Sequence, residues 1–314
     1  MNEKIKSEIT LDPYLTAPSS GEFQRLRRRL TRQTQLAIHE YSMIQPGDHV
    51  MVCCSGGKDS YTLLTILIDI SRRENFEFKI TAFNLDQAQP DFPVRTLPTY
   101  FEQLGVNYLC HREDTYSIVK EKTAPGKTTC ALCSRLRRGI IYTKANEIGA
   151  TKIALGHHMD DAVETLMLNM FFGARLKTMP PKLSALEGKH TLIRPLYMCE
   201  ESEIARFARA MNYPIIPCNL CGSQPNLQRQ AFKKLLKEFE KTYPGRRQAI
   251  FKSIRHVIPS HLADLNIFDF DKMQPRSDRS DNSFKSNHGP DPAEGLAGLV
   301  ASSTGFMSLL DQES

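Results

Sequence analysis

From residue 22 to 44 the apolar positions Phe23, Leu26, Leu30, Ala37, Ile38 and Tyr41 recur at helical spacing, with Arg25, Arg27, Arg28, Arg29 and Arg32 between them. That pattern predicts a basic amphipathic helix, stopped near Pro46-Gly47. Beyond it, short apolar runs alternate with longer periodic ones. Strands are predicted over residues 50–54, 78–85, 108–111 and 152–155, and helices over 61–72, 94–104, 135–148 and 160–172. A Lys/Thr/Pro/Gly stretch before residue 135 reads as a loop, 200–211 as a helix, 214–221 as irregular, and 227–255 as helical with a break at Pro244-Gly245. Such alternation argues for an α/β fold, a parallel sheet wrapped by helices on both faces, whose ligands sit outside the carboxyl ends of the strands. The predicted organisation is a mobile N-terminus (1–21), the basic helix (22–45), a central α/β domain (46–222), a C-terminal helical segment (223–270) and a disordered tail (271–314) rich in Ser, Asp, Asn, Pro and Gly.

The candidate chemistry falls at the predicted strand ends. Ser55, Gly56, Gly57, Lys58, Asp59 and Ser60 lie between the first strand and its helix. Two adjacent glycines let the backbone approach a ligand and turn N–H groups toward it, and the helix that follows adds its positive dipole end. Phosphate is the ligand such a turn suits. Lys58 supplies a point charge, Ser55 and Ser60 hydroxyls, and Asp59 a carboxylate able to hold Mg²⁺ against phosphate oxygens. The spacing does not match the common nucleoside-triphosphate loop. It resembles instead the PP-loop of the N-type ATP pyrophosphatases, which implies cleavage of ATP between its α and β phosphates.

Composition narrows the class. The chain has 314 residues and 40% apolar content, enough for a full core. No apolar stretch approaches the length of a membrane span, and the first residues hold no apolar leader, so a cytoplasmic protein with no membrane partner is expected. Its net charge of +6 includes a tail from Pro275 onward with three basic and six acidic residues, leaving +9 on the rest. That body suits a polyanion such as RNA. The arginines of the first helix, and Arg135, Arg137 and Arg138, can contact phosphates or form solvated helix faces. Eight cysteines point to metal or sulfur chemistry more than to a disulfide framework. Cys53, Cys54, Cys110 and Cys199 lie on or beside predicted core elements and read as small buried hydrophobes. Two C-x-x-C pairs remain, Cys130/Cys133 and Cys218/Cys221. Their spacing fits a zinc site, a redox disulfide or an iron–sulfur cluster, and does not separate them.

A longer likeness does separate them. The run from Pro217 to Gln230, with Cys218, Cys221 and Gly222-Ser223-Gln224, joins the glycine turn, Cys130-Ala131-Leu132-Cys133, and the run Gly156-His157-His158-Met159-Asp160-Asp161-Ala162-Val163-Glu164-Thr165. Together these resemble the tRNA 2-thiocytidine synthetase family over about residues 22–258. The resemblance implies ATP- and Mg²⁺-dependent thiolation of cytidine at position 32 of tRNA, and a [4Fe-4S] cluster held by Cys130, Cys133 and Cys221. It also implies sulfur delivery by a cysteine desulfurase, with Cys218 either replacing Cys221 as ligand or packing nearby. A homodimer is expected from the habit of PP-loop enzymes. Asp161 is expected to help with Mg²⁺, His158 with the nucleotide, and Asp86 with ribose or metal, although Asp86 is also an ordinary turn residue and Asp160, Asp161 and Glu164 suit a helix N-terminus. Thiolation of a tRNA uridine, lysine addition to a tRNA cytidine and a zinc-stabilised RNA-binding module are the rivals. Uridine-thiolating relatives commonly carry further cysteine pairs near the termini, and this chain has none.

Overall fold

A computed structural model describes residues 12–73, 77–123, 130–185, 190–217 and 227–272. The chain divides into two units, one through Val257 and one from Ile258. In the second, two short 3-10 turns are described, Pro259–His261 and Phe270–Lys272.

The first unit is built on six strands, β1 (His49–Cys53), β2 (Lys79–Asp86), β3 (Tyr108–Arg112), β4 (Lys152–Ala154), β5 (Lys182–Ala185) and β6 (His190–Ile193), in the order β3-β2-β1-β4-β6-β5. Every pairing is parallel except β5 with β6. β1 is central, and its side chains divide between two cores: Val50 and Val52 face one, Met51 and Cys53 the other. On the first side lies α2 (Lys58–Ser71), whose residues 60–70 are all buried, backed by α1 (Gly21–Glu40) and α7 (Glu201–Ala210). A helix apolar on nearly every side belongs inside a core, and α2 is such a helix. The opposite side is covered by α5 (Cys130–Glu147), whose Ile141, Tyr142 and Ala145 join Met51, Phe83, Ile153 and Leu192. The remaining helices are α3 (Thr96–Leu104), α4 (Thr115–Lys122), α6 (Met159–Gly173), α8 (Leu227–Thr242) and α9 (Arg246–Arg255), with a 3-10 turn at Pro195–Met198. Among the described residues no helix is long and apolar enough to cross a membrane.

The layered sheet and its helices match the expectation, with three differences. α4 replaces part of the expected loop, because the Asp114 carboxylate accepts from Ser117 N at 2.9 Å and caps a helix there. The β5–β6 hairpin is new, and makes the sheet mostly rather than wholly parallel. Cys54 and Cys199 are buried as expected and Cys53 partly so, but Cys110 is exposed because β3 is an edge strand.

The basic helix uses two of its arginines internally. Arg27 pairs with Asp69 at 3.1 Å and lies 3.6 Å over the Tyr14 ring, while Arg29 meets Glu203 at 2.6 Å. Arg25, Arg28 and Arg32 face solvent, as do Arg135, Arg137 and Arg138 of α5.

Candidate functional site

The glycine turn emerges from the carboxyl end of β1. Gly56 has φ +82°, and a Cβ there would stand 2.6 Å from Ile216 Cδ1, whose own backbone N–H donates to the Gly56 carbonyl at 2.9 Å. Glycine is thus required twice, for the backbone angle and for the close approach. Ser60 Oγ donates to the Gly57 carbonyl at 2.9 Å and accepts from Ser55 N at 3.3 Å, which ties the turn to the first turn of α2. Gly57 is the N-cap and brings no side-chain oxygen to the first N–H groups of the helix. Those donors and the dipole end face the turn.

A second helix start lies against the first. At Gly156 an added Cβ would come within 3.1 Å of the Asp59 carbonyl carbon and Ser60 N, so the segment between β4 and α6 packs onto the opening turn of α2. His158, buried at the N-cap of α6, puts Nε2 3.8 Å from Asp59 Oδ1 and 3.5 Å from Asp161 Oδ2. Asp161 Oδ2 also accepts from the His158 backbone N–H at 3.0 Å, so it caps α6 while facing the turn. Lys58 Nζ donates to Asp59 Oδ2 at 3.0 Å and also lies 3.0 Å from Oδ1. Oδ1 is nonetheless buried with no hydrogen bond among the described residues. A buried carboxylate oxygen with an ion pair but no hydrogen bond, beside a phosphate-type turn, fits a hard cation such as Mg²⁺.

Around this pair of helix starts runs a ring of charge that the sequence did not disclose. Lys58 reaches Glu201 of α7 at 3.2 Å, and Lys233 of α8 reaches the same carboxylate at 2.7 Å. Burial raises the Glu201 carboxyl, but the Lys233 hydrogen bond and the charges of Lys58, Lys233 and His158 outweigh it and bring it down to about 2. Arg229 of α8 bridges Asp161 at 3.2 Å and Glu164 at 3.0 Å, and Arg247 of α9 holds Asp160 at 2.9 Å. Asp160 in turn accepts from Glu201 N at 2.7 Å. His157 sits in the same neighbourhood; burial pushes it down, Asp161 opposes, and Arg194, Arg229 and His158 add to the fall, to about 4. Its imidazole is neutral at pH 7. Lys58, His157, His158, Asp160, Asp161, Glu164 and Arg229 lay inside the quoted motifs. Glu201, Lys233, Arg247 and Arg194 had no signal in local spacing.

The other candidate group is at the end of β2. Asp86 Oδ1 accepts from Ala88 N at 2.8 Å, and Arg112 Nε is 3.7 Å from Oδ2, so Asp86 is a turn residue with a cation beside it. Next to it, Gln87 Oε1 accepts from Cys133 Sγ at 3.2 Å and from Thr115 Oγ1 at 3.3 Å. β1 and β2 are direct neighbours, and Asn84 Nδ2 donates to the Cys54 carbonyl at 2.9 Å. Cys133 therefore opens on the sheet edge that carries the glycine turn. Cys130 begins α5 one turn before Cys133. Cys218 and Cys221 lie outside the described residues. Among the described residues no group of three or more His, Cys, Asp and Glu is placed to hold a metal ion, so a metal here needs ligands from bound phosphate or from further cysteines.

Comparison with known proteins gives these positions a family context. A family model described as PP-loop domain matches residues 26–217. Curated relatives called tRNA-cytidine(32) 2-sulfurtransferase include one from Vibrio cholerae serotype O1, 54% identical over 84% of this chain and 85% of its own. Another, from Ralstonia pickettii, is 58% identical over 81% of each chain, and one from Klebsiella pneumoniae is 56% identical over 82% of each. Among solved structures, the U34-tRNA thiolase NcsA from Methanococcus maripaludis with its [4Fe-4S] cluster is similar in fold, with a TM-score of 0.61 and 17% identity over 76% of this chain and 81% of that one.

Proposed function

The chain belongs to the tRNA-cytidine(32) 2-sulfurtransferase family of PP-loop proteins, and we propose that it replaces the C2 oxygen of cytidine 32 in tRNA with sulfur, at the expense of ATP. Its family makes it a transferase. The observation that carries the reading is the hydrogen bond from Cys133 to Gln87, directly after Asp86 on β2, beside the strand that feeds the Lys58–Asp59 turn.

In this reading the N–H groups of residues 55–60 and the Ser55 and Ser60 hydroxyls cradle the ATP phosphates, with Lys58 neutralising their charge. Asp59, whose buried Oδ1 makes no hydrogen bond, and Asp161 hold Mg²⁺ against those phosphates. His158, between the two carboxylates, orients them and contacts the nucleotide; Asp86 lies at the ribose side. Adenylation of the cytidine C2 oxygen makes it a leaving group, which the positive helix ends stabilise as it departs. Cys130 and Cys133, with Cys221, hold a [4Fe-4S] cluster. When bound, that group supplies an iron position open to a sulfur atom. Cys133 fits the role, being half-buried and bonded to Gln87 at the reacting edge. A cysteine desulfurase supplies the sulfur, the enzyme works as a homodimer, and its tRNA substrate puts it in the cytoplasm.

The test is anaerobic purification with iron, sulfide and absorbance measurement, followed by incubation with tRNA, ATP, Mg²⁺, a desulfurase with cysteine, and a thiol reductant that brings the persulfide sulfur to the sulfide level. Brown protein, AMP formation and 2-thiocytidine in the digested tRNA are expected. Colourless protein holding zinc, or thiolated uridine in place of cytidine, would overturn the reading.

A further inference from the structure

A cavity of about 460 Å³ lies between the C-terminal ends of α1 and α9 and the segment leading into β5. It is lined by Tyr41, Tyr197, Pro180, Pro181 and Arg255 among others. We propose that this cavity receives one unpaired base of the bound tRNA, next to the nucleotide that is modified; the inference rests on the function proposed above.

Four observations carry it. The volume lies in the range of small-ligand sites and accommodates a single base. Its walls combine an aromatic ring with a charged pair: Tyr41 stands edge-on to Tyr197 at 5.9 Å between centroids, and Arg255 pairs with Glu40 at the rim. Single-stranded RNA is recognised in this way, with bases stacked on aromatic and guanidinium planes and their edges hydrogen-bonded by donors and acceptors held side by side. An ammonium stands close by, since Lys182 Nζ donates to the carbonyl of Ser42, next to Tyr41, at 2.6 Å. That ammonium suits the phosphate of the inserted nucleotide. Finally, the cavity floor is joined to the candidate site. Tyr197 belongs to the 3-10 turn after β6, where Met159 N at the start of α6 donates to the Cys199 carbonyl at 3.0 Å. Thr178 of the cavity wall donates to the Ala162 carbonyl in the first turns of α6.

A need for such a pocket follows from the chemistry. An enzyme that acts on a base takes it out of its stack, and a neighbour then loses a stacking partner. Aromatic surface beside the site restores that partner.

The experiment measures binding of an unmodified tRNA transcript and of a series of transcripts, each abasic at one anticodon-loop position. Tyr41→Leu should weaken binding of the intact transcript about tenfold, as loss of one base stack does, whereas Tyr41→Phe should bind as wild type. The slope of log affinity against log salt should stay the same, because no phosphate contact is removed. One abasic position should weaken wild-type binding and add nothing to Tyr41→Leu. Should Tyr41→Leu melt early, His256→Ala and Arg255→Gln at the cavity rim replace it and should lose affinity with dependence on the same position. Unchanged affinity in all three variants, or losses that add to every abasic position alike, would overturn the pocket while leaving the proposed function in place. A wild-type protein that binds no tRNA would overturn both.

Discussion

Lys58 Nζ stands 3.2 Å from Glu201 Oε1, so the lysine of the glycine turn is engaged by a carboxylate on a helix well downstream. Phosphate must compete with Glu201 for that charge. Glu201→Gln should therefore bind ATP about two- to fivefold more tightly, the scale of one partly exposed ion pair, whereas Lys58→Ala should lose at least about tenfold by the removal of a charge-assisted contact. Calorimetric titration with Mg²⁺-ATP checks both. Equal affinity in Glu201→Gln and wild type would show that the pair does not restrain Lys58.

The turn itself tolerates no side chain at position 56. Alanine there would adopt φ near +82° and place its Cβ 2.6 Å from Ile216 Cδ1 and 2.9 Å from Ile216 Cβ. A β-branched neighbour has one preferred rotamer and little room to yield. Gly56→Ala should destabilise the fold by about 2 kcal/mol or more, from the left-handed backbone and the overlap together. The double variant with Ile216→Ala should recover only the part of the overlap made by Cδ1 and Cγ1, relative to Ile216→Ala by itself. Urea unfolding of the four proteins separates the two contributions, and a fully additive cycle would refute the contact.

Two depressed groups near the site set the acid response, in different windows. His157 takes up a proton near pH 6.5 when unfolded but only at about 4 when folded. Below pH 6.5 the unfolded state therefore binds more protons, and stability falls as the pH drops toward 4, by up to about 3 kcal/mol. Glu201, held at about 2, acts lower down: its stabilisation is complete above the unfolded carboxylate value and is lost as the pH falls through 2. His157→Gln should flatten the stability profile between pH 6.5 and 4, and Glu201→Gln should flatten it below about pH 4. Unfolding curves across that range give the result, and an unaltered slope in His157→Gln would contradict the neutral imidazole.

Local chemistry made much of the frame legible. Ser55 to Ser60 predicted a turn between strand and helix, and the helix begins at Lys58 rather than Tyr61 only because Gly57 serves as its cap. The alternation around Val50, Ile80 and Ile153 gave the parallel core. β5 was missed because Lys182–Ala185 is a four-residue edge strand, formed by pairing with β6 rather than by its own pattern. Cys110 misled because a residue on an edge strand lacks the neighbour that would bury it. Glu201, Lys233 and Arg247 were illegible for a related reason: each looks like one more charge on a helix face until folding brings α7, α8 and α9 against the starts of α2 and α6. Pairing of charges across a fold leaves no periodicity in the chain.

Cys133 supplies the sharpest test of the sulfur chemistry, because its contact separates structure from function. Its thiol donates to Gln87 Oε1, a bond that a serine hydroxyl can also make. Cys133→Ser should therefore fold with wild-type stability and keep its affinity for ATP, since the glycine turn is untouched. A hydroxyl is a poor ligand for iron, so the variant purified without oxygen should lack the visible absorbance of the wild type and should form no 2-thiocytidine. Gln87→Leu serves as the converse. It removes the acceptor and leaves the thiol, so iron content should persist while the thiolation rate falls through misplacement of the α5 start. Iron analysis, absorbance and nucleoside mass spectrometry on the two variants decide the matter. A Cys133→Ser protein that retains iron and thiolates tRNA at the wild-type rate would remove this cysteine from the reaction.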